Sequence, residues 1–169
     1  ARKLERLLAS HQQIRENKCK PISFSQPILW QKENPVFFPK TINVIQGKAG
    51  VHKSRLAETI CASLLKTPES NRDLLDFKRN ILSRYAVCYV ETERNLSDQL
   101  PYSLQQIQLK AGFPIEEHPY GFDYISLLEF AREERFEMLN MYLDYIRQKF
   151  PMHLFIVLDV ITDCVFNFN

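Results

Sequence analysis

Residues 42 to 54 read Ile-Asn-Val-Ile-Gln-Gly-Lys-Ala-Gly-Val-His-Lys-Ser. An apolar run enters a turn that holds two of the chain's four glycines, Gly47 and Gly50, and the turn ends in Lys53-Ser54. The pattern G-x-x-x-x-G-K-[ST] of a phosphate-binding loop is met except at one position, where His52 stands for the second glycine. Such a loop works because backbone N–H groups converge on an anion at a helix N-terminus. Glycines let the backbone turn tightly and approach the phosphates. The lysine supplies a compact charge, and the serine hydroxyl ligates Mg²⁺.

The flanks fit that context. Thr41–Gln46 is expected as a buried strand. A helix is expected from Lys53 to Lys66, because Leu56, Ile60 and Leu64, with Ala57 and Cys61, make one apolar stripe. Pro68 is expected to stop it. The candidate nucleotide-binding residues are therefore Gly47, Lys48, Ala49, Gly50, Val51, His52, Lys53, Ser54 and Arg55. The competing reading is a strand-to-helix turn whose Lys53 is merely solvated. His52 is expected in helical backbone that suits any residue, with an imidazole that either crowds phosphates or donates to them.

Outward from this loop the chain alternates helix and strand. Leu4, Leu7, Leu8 and Ile14 among charges predict an amphipathic helix over 3–17. Residues 18–40 carry four prolines and predict a lead-in with one short strand near Ile28–Trp30. Residues 67–80 are polar and expected on the surface. Tyr85–Val90 is an apolar run without alternation, as suits a sheet covered on both faces, and Leu154–Leu158 is a third apolar strand, capped by Asp159. Helices are expected over 97–111 and 126–149, the second with Leu128, Ala131, Met138, Leu139, Tyr142 and Ile146 on one side. Residues 113–124 read as a loop. Strand, helix, strand, helix, strand predicts an α/β fold with a parallel sheet. Residues 1–40 form the lead-in and 41–169 the core.

Composition narrows the class. With 169 residues the chain fits one domain with a substantial core. A net charge of +2 gives no global basic field that would argue for nucleic acid. Cys61, Cys88 and Cys164 lie in apolar stretches and read as small buried hydrophobes. Neither C-x-x-C nor H-E-x-x-H metal spacing occurs. No signal peptide or membrane-spanning run is evident, so a reduced, cytoplasmic protein with no membrane partner is expected.

Two more clusters carry chemistry. Val90-Glu91-Thr92-Glu93 follows the second strand, where carboxylates face a ligand crevice and one can orient an attacking water. The alternative is a solvated acidic turn. Leu154-Phe155-Ile156-Val157-Leu158-Asp159 is an apolar strand ending in an aspartate suited to Mg²⁺. Basic Arg132, Arg135, Arg147 and Lys149 interleave with Glu129, Glu133, Glu134 and Glu137, which reads as a solvated, salt-bridged helix face. Tyr120, Phe122 and Tyr124 around Gly121 either stack on a base or pack beneath the loop.

In the order loop, strand-end glutamates, strand-end aspartate, the chain resembles the RecA/DnaB-like branch of P-loop ATPases, including RepA-type replicative helicases. The loop Gln46–Arg55 is also similar to ATPases carried by mobile genetic elements of gut bacteria. The resemblance covers residues 41–165. It implies a P-loop NTPase core with ATP and Mg²⁺ as cofactors. Lys53 and Glu93 would be the catalytic residues, Glu91 a helper, and Ser54 and Asp159 the metal ligands. It implies an ATP hydrolase acting on DNA in replication, recombination or mobilisation, and partners that include further copies of the chain in a ring. It also implies more strands after Asp159 than residues 160–169 supply, so the core is expected to be incomplete. A nucleotide-binding regulatory protein with little hydrolysis is the alternative. A small-molecule kinase would want an arginine-bearing lid, which is not seen.

Overall fold

The computed structural model describes residues 2–48, 50–67 and 69–164. The expectations for Ala49 and Pro68 lie outside these residues. The fold is mixed α/β and is organised on strand β4 (Tyr85–Glu91). Its side chains alternate between two cores. Val87 and Tyr89 enter one; Ala86, Cys88 and Val90 enter the other. All five are fully buried, which is why the run lacks polar alternation.

β4 is the middle of a parallel three-stranded sheet, flanked by β5 (Phe122–Ser126) and β6 (His153–Asp159). Helix α3 (Gln99–Ala111) links β4 to β5 and packs into the first core beside α2 (Lys53–Leu65). Helix α4 (Arg132–Lys149) links β5 to β6 and covers the opposite face through Tyr142 and Ile146. A small antiparallel sheet of β1 (Leu29–Gln31), β2 (Asn34–Phe37) and β3 (Phe77–Arg79), in the order β2-β1-β3, joins the first core through Leu29 and Phe37. Helix α1 (Arg2–Lys18) buries none of its residues.

Four expectations change. Thr41–Gln46 forms no strand: Ile42 is 94% and Val44 76% exposed. An apolar run records a tendency to be covered, but a strand exists only where a neighbour pairs with it. β5 lies partly within the expected loop 113–124, and its pairing with β4 is the tertiary contact that makes it a strand. Residues 126–131 are not helical. Leu127 instead continues toward β4, donating its N–H to the Glu91 carbonyl at 2.8 Å, and α4 starts only at Arg132. The polar segment 67–80 holds β3 and the buried Leu74 and Asn80.

Candidate functional site at the carboxyl ends of the parallel strands

Pairing registers set Glu91 opposite Ser126 on one side and Asp159 on the other. The strand-end acids thus share one transverse row at the carboxyl edge of a doubly wound sheet. That edge, where the chain order reverses around β4, is where ligands enter such sheets.

The loop before α2 curls on its own lysine. Lys53 Nζ donates to the carbonyls of Gly47 at 2.9 Å and Lys48 at 2.8 Å. A Cβ on Gly47 would meet Val51 Cγ2 at 2.9 Å, and Gly50 has φ +76°. The backbone thus favours glycine at position 50, while at position 47 a side chain would have to displace that of Val51. His52 is the N-cap of α2 with φ 60° and ψ 31°. This corrects the helical expectation at that position: the backbone is left-handed, which is the physical reason a glycine suits it. Its carbonyl accepts the first helical bond, from Leu56 N–H at 3.1 Å. Lys48, Val51 and Arg55 are exposed, while Lys53 and Ser54 are half-buried.

The acidic pair divides in two. Glu93 is exposed. Glu91 is buried, and its Oε1 accepts three successive N–H groups, from Thr92 at 2.9 Å, Glu93 at 2.9 Å and Arg94 at 3.3 Å. Its Oε2 is buried without a hydrogen bond and has Arg94 Nη1 at 3.5 Å as counter-charge. Burial pushes the Glu91 carboxyl above the usual range, opposed by those N–H groups and by Arg94. Asp159 accepts from Tyr89 Oη at 2.7 Å and from Arg94 Nη2 at 3.4 Å. Burial, then the nearby Asp159, pushes the Tyr89 phenol up, so it stays a donor.

Arg94 is the residue that sequence reasoning missed. Its guanidinium pairs with Asp159, with Glu91 and with Glu58 of α2 at 3.3 Å, and donates to Ser103 Oγ at 2.6 Å. It therefore ties the helix after the loop to the ends of β4 and β6. Among the described residues no hydrogen bond or ion pair joins Lys53 or Ser54 to Asp159. For Arg94 the available signal was its position directly after the acidic pair Glu91 and Glu93. A cavity of about 360 Å³ opens beside it between α2 and α3, lined by Arg55, Glu58, Arg94, Tyr102, Ser103 and Lys110 among others.

Arg135 corrects the solvated-face reading of α4. It is buried and donates to the carbonyls of Phe130, Thr92, Asp163 and Leu128 at 3.0 to 3.3 Å. One side chain thereby fastens the segments that follow β4, β5 and β6. Thr92 adds a second tie: its hydroxyl donates to the Val160 carbonyl at 2.9 Å and accepts the Val160 N–H at 2.8 Å.

Among the described residues no group of three or more His, Cys, Asp or Glu side chains is arranged to hold a metal ion by itself. Magnesium typically takes one or two carboxylates and completes its shell with water and substrate phosphates. Ser54 and Asp159 carry oxygen donors of that type, and Asp159 already accepts from Tyr89 and Arg94. No helix among the described residues is long and apolar enough to cross a membrane. No family model, curated protein or solved structure matches the chain.

Proposed function

We propose that the chain binds ATP at Gly47–Arg55 and hydrolyses it with Mg²⁺, as a RecA/DnaB-like ATPase working on DNA in replication, recombination or mobilisation. The observation that carries this reading is the curl of the loop on Lys53, with Gly50 at a positive φ that favours glycine and Gly47 packed against the Val51 side chain. Two of the three lysine donors rest on loop carbonyls, and the third remains for phosphate oxygens. Ser54 and Asp159 would hold the magnesium, which supplies charge neutralisation between the phosphates. Glu93, exposed at the strand end, is free to orient water. Glu91 serves the site differently, by folding the turn that presents Glu93. A ring of copies is part of the same reading.

A second reading, nucleotide binding with little hydrolysis, is favoured by one specific contact. The Arg94 guanidinium neutralises Asp159, the aspartate that would hold the magnesium in the first reading, and also Glu91, which folds the turn behind it.

The test is titration with ATP and Mg²⁺ alongside Lys53→Ala, followed by turnover with and without DNA. Loss of binding in the variant is expected; equal affinity in the two proteins would remove the proposal. Binding without turnover selects the second reading.

A further inference from the structure

The two ends of the Arg94 guanidinium are held unequally. Nη1 lies 3.3 Å from Glu58 Oε1 and 3.5 Å from Glu91 Oε2, and donates to Ser103 Oγ at 2.6 Å. Nη2 reaches Asp159 Oδ2 at 3.4 Å, where Tyr89 Oη is the nearer donor at 2.7 Å. Glu91 Oε2, beside Nη1, is buried and accepts no hydrogen bond among the described residues. A buried acceptor left unmet is destabilising, and here a donor stands next to it.

Glu58 belongs to α2, the helix that begins at Lys53, and Ser103 belongs to α3. The guanidinium therefore bridges from those two helices to the end of β6, and only its Nη2 contact makes the last step. The cavity of about 360 Å³ between α2 and α3 has Arg94, Glu58, Gln99 and Ser103 in its lining, so a turn about Nη1 has room. Charge also permits the turn. Glu58, Glu91 and Asp159 stand against Arg94 and Lys110, whose Nζ is 3.8 Å from Glu58. With Asp159 committed to a divalent ion, two carboxylates face two cations.

We infer that Arg94 sets the magnesium dependence of nucleotide binding: its guanidinium competes with the metal for Asp159, and yields by turning about Nη1 onto Glu91 and Glu58. This rests on the reading that Asp159 holds magnesium. A guanidinium kept within about 5 Å of a divalent ion opposes it even through water. Turned away, Arg94 gives Glu91 Oε2 the donor it lacks and keeps its hold on Ser103. The same movement draws its charge from the end of β6 to α2 and α3, so those helices feel whether Asp159 is engaged.

The test is the ratio of ATP affinity in Mg²⁺ to ATP affinity in EDTA, titrated for the chain and for variants that circular dichroism shows to be folded. Arg94→Gln should raise the ratio about tenfold, the scale of removing a unit charge about 5 Å from a divalent ion in water. Arg94→Lys keeps the charge and should stay within about threefold of the wild-type chain. Glu58→Gln removes a seat that Arg94 turns onto and should lower the ratio. An unchanged or lowered ratio in Arg94→Gln overturns the inference. So does an equal rise in Arg94→Lys, or a ratio that does not fall in Glu58→Gln. Asp159→Asn separates this inference from the reading beneath it. A ratio that survives that change removes Asp159 as the magnesium ligand, and the inference with it. A ratio that collapses there, while Arg94→Gln changes nothing, removes the inference alone.

Discussion

Replacing Arg135 by methionine tests whether the carboxyl edge of the sheet is held by one buried cation. The guanidinium donates through Nε to Phe130, through Nη1 to Thr92 and Asp163, and through Nη2 to Leu128. A hydrogen bond involving a charged group contributes roughly 1.5–3 kcal/mol net. Four of them do not sum, because they share one desolvated ion whose removal also ends its own burial penalty. Methionine keeps much of the stem's volume yet leaves four carbonyls without a donor. Each buried carbonyl left without a donor costs about 1–3 kcal/mol, less where water reaches it, so the expected loss is about 3–5 kcal/mol in all. Arg135→Lys should recover less than half of it, since one ammonium cannot reach acceptors spread around a planar fork. Urea denaturation followed by circular dichroism gives the value. Apart from the Asp163 carboxylate at 3.9 Å the partners are neutral carbonyls, and Arg135 itself is buried, so added salt should change the loss little. A loss below about 1 kcal/mol, or full rescue by lysine, would refute the reasoning.

Two further outcomes follow from the site. His52→Gly relieves a left-handed residue at φ 60°, and the gain, net of glycine's entropy, is about 0.5–1 kcal/mol. ATP affinity should be kept or improved; a lower unfolding midpoint would show that the imidazole holds something. For Glu91 the folded carboxyl titrates above its ordinary 4.5, so the folded state binds the proton more readily than the unfolded chain. Its contribution is present at acid pH and is lost as pH rises through the raised value. Glu91→Gln keeps an acceptor for the three N–H groups and should flatten the fall in stability that sets in as pH rises above about 4.5. An unchanged pH profile in that variant would remove Glu91 as the cause.

The parts of the site legible in the sequence were those set by local pattern. Tyr85–Val90 reads as a doubly covered strand because both of its faces are core, and Glu91 and Asp159 are legible as the first polar residues past apolar runs, although β6 is only partly buried. Cys61, Cys88 and Cys164 are buried as their apolar surroundings predict. Pairing is not local, and that is where the reading ended. β5 carries an aspartate and two aromatics that also suit a loop, and only β4 alongside makes it a strand. Arg135 sits among glutamates, yet helical phase turns it inward while they face out. Sign alternation along a sequence cannot separate a solvated arginine from one that gathers carbonyls. His52 was misread for a related reason. The motif specifies residue types, whereas the cause of its glycine is a dihedral angle.

Thr41–Gln46 brings the local and non-local terms together. Ile42 and Val44 are mostly exposed, and fully burying an aliphatic side chain stabilises a protein by roughly 1.5–3 kcal/mol. The segment therefore has a substantial drive to be covered. Among the described residues, β6 pairs only with β4, so its outer edge offers unpaired N–H and C=O groups. An exposed apolar segment and an open parallel edge belong to the same chain. The loop that curls on Lys53 begins one residue beyond that segment, and Asp159 ends the strand that owns that edge. The tendency to form a strand is thus written in Ile42, Val44 and Ile45. The neighbour that would satisfy it is written some 110 residues later in 153–159, where no local pattern refers back to it.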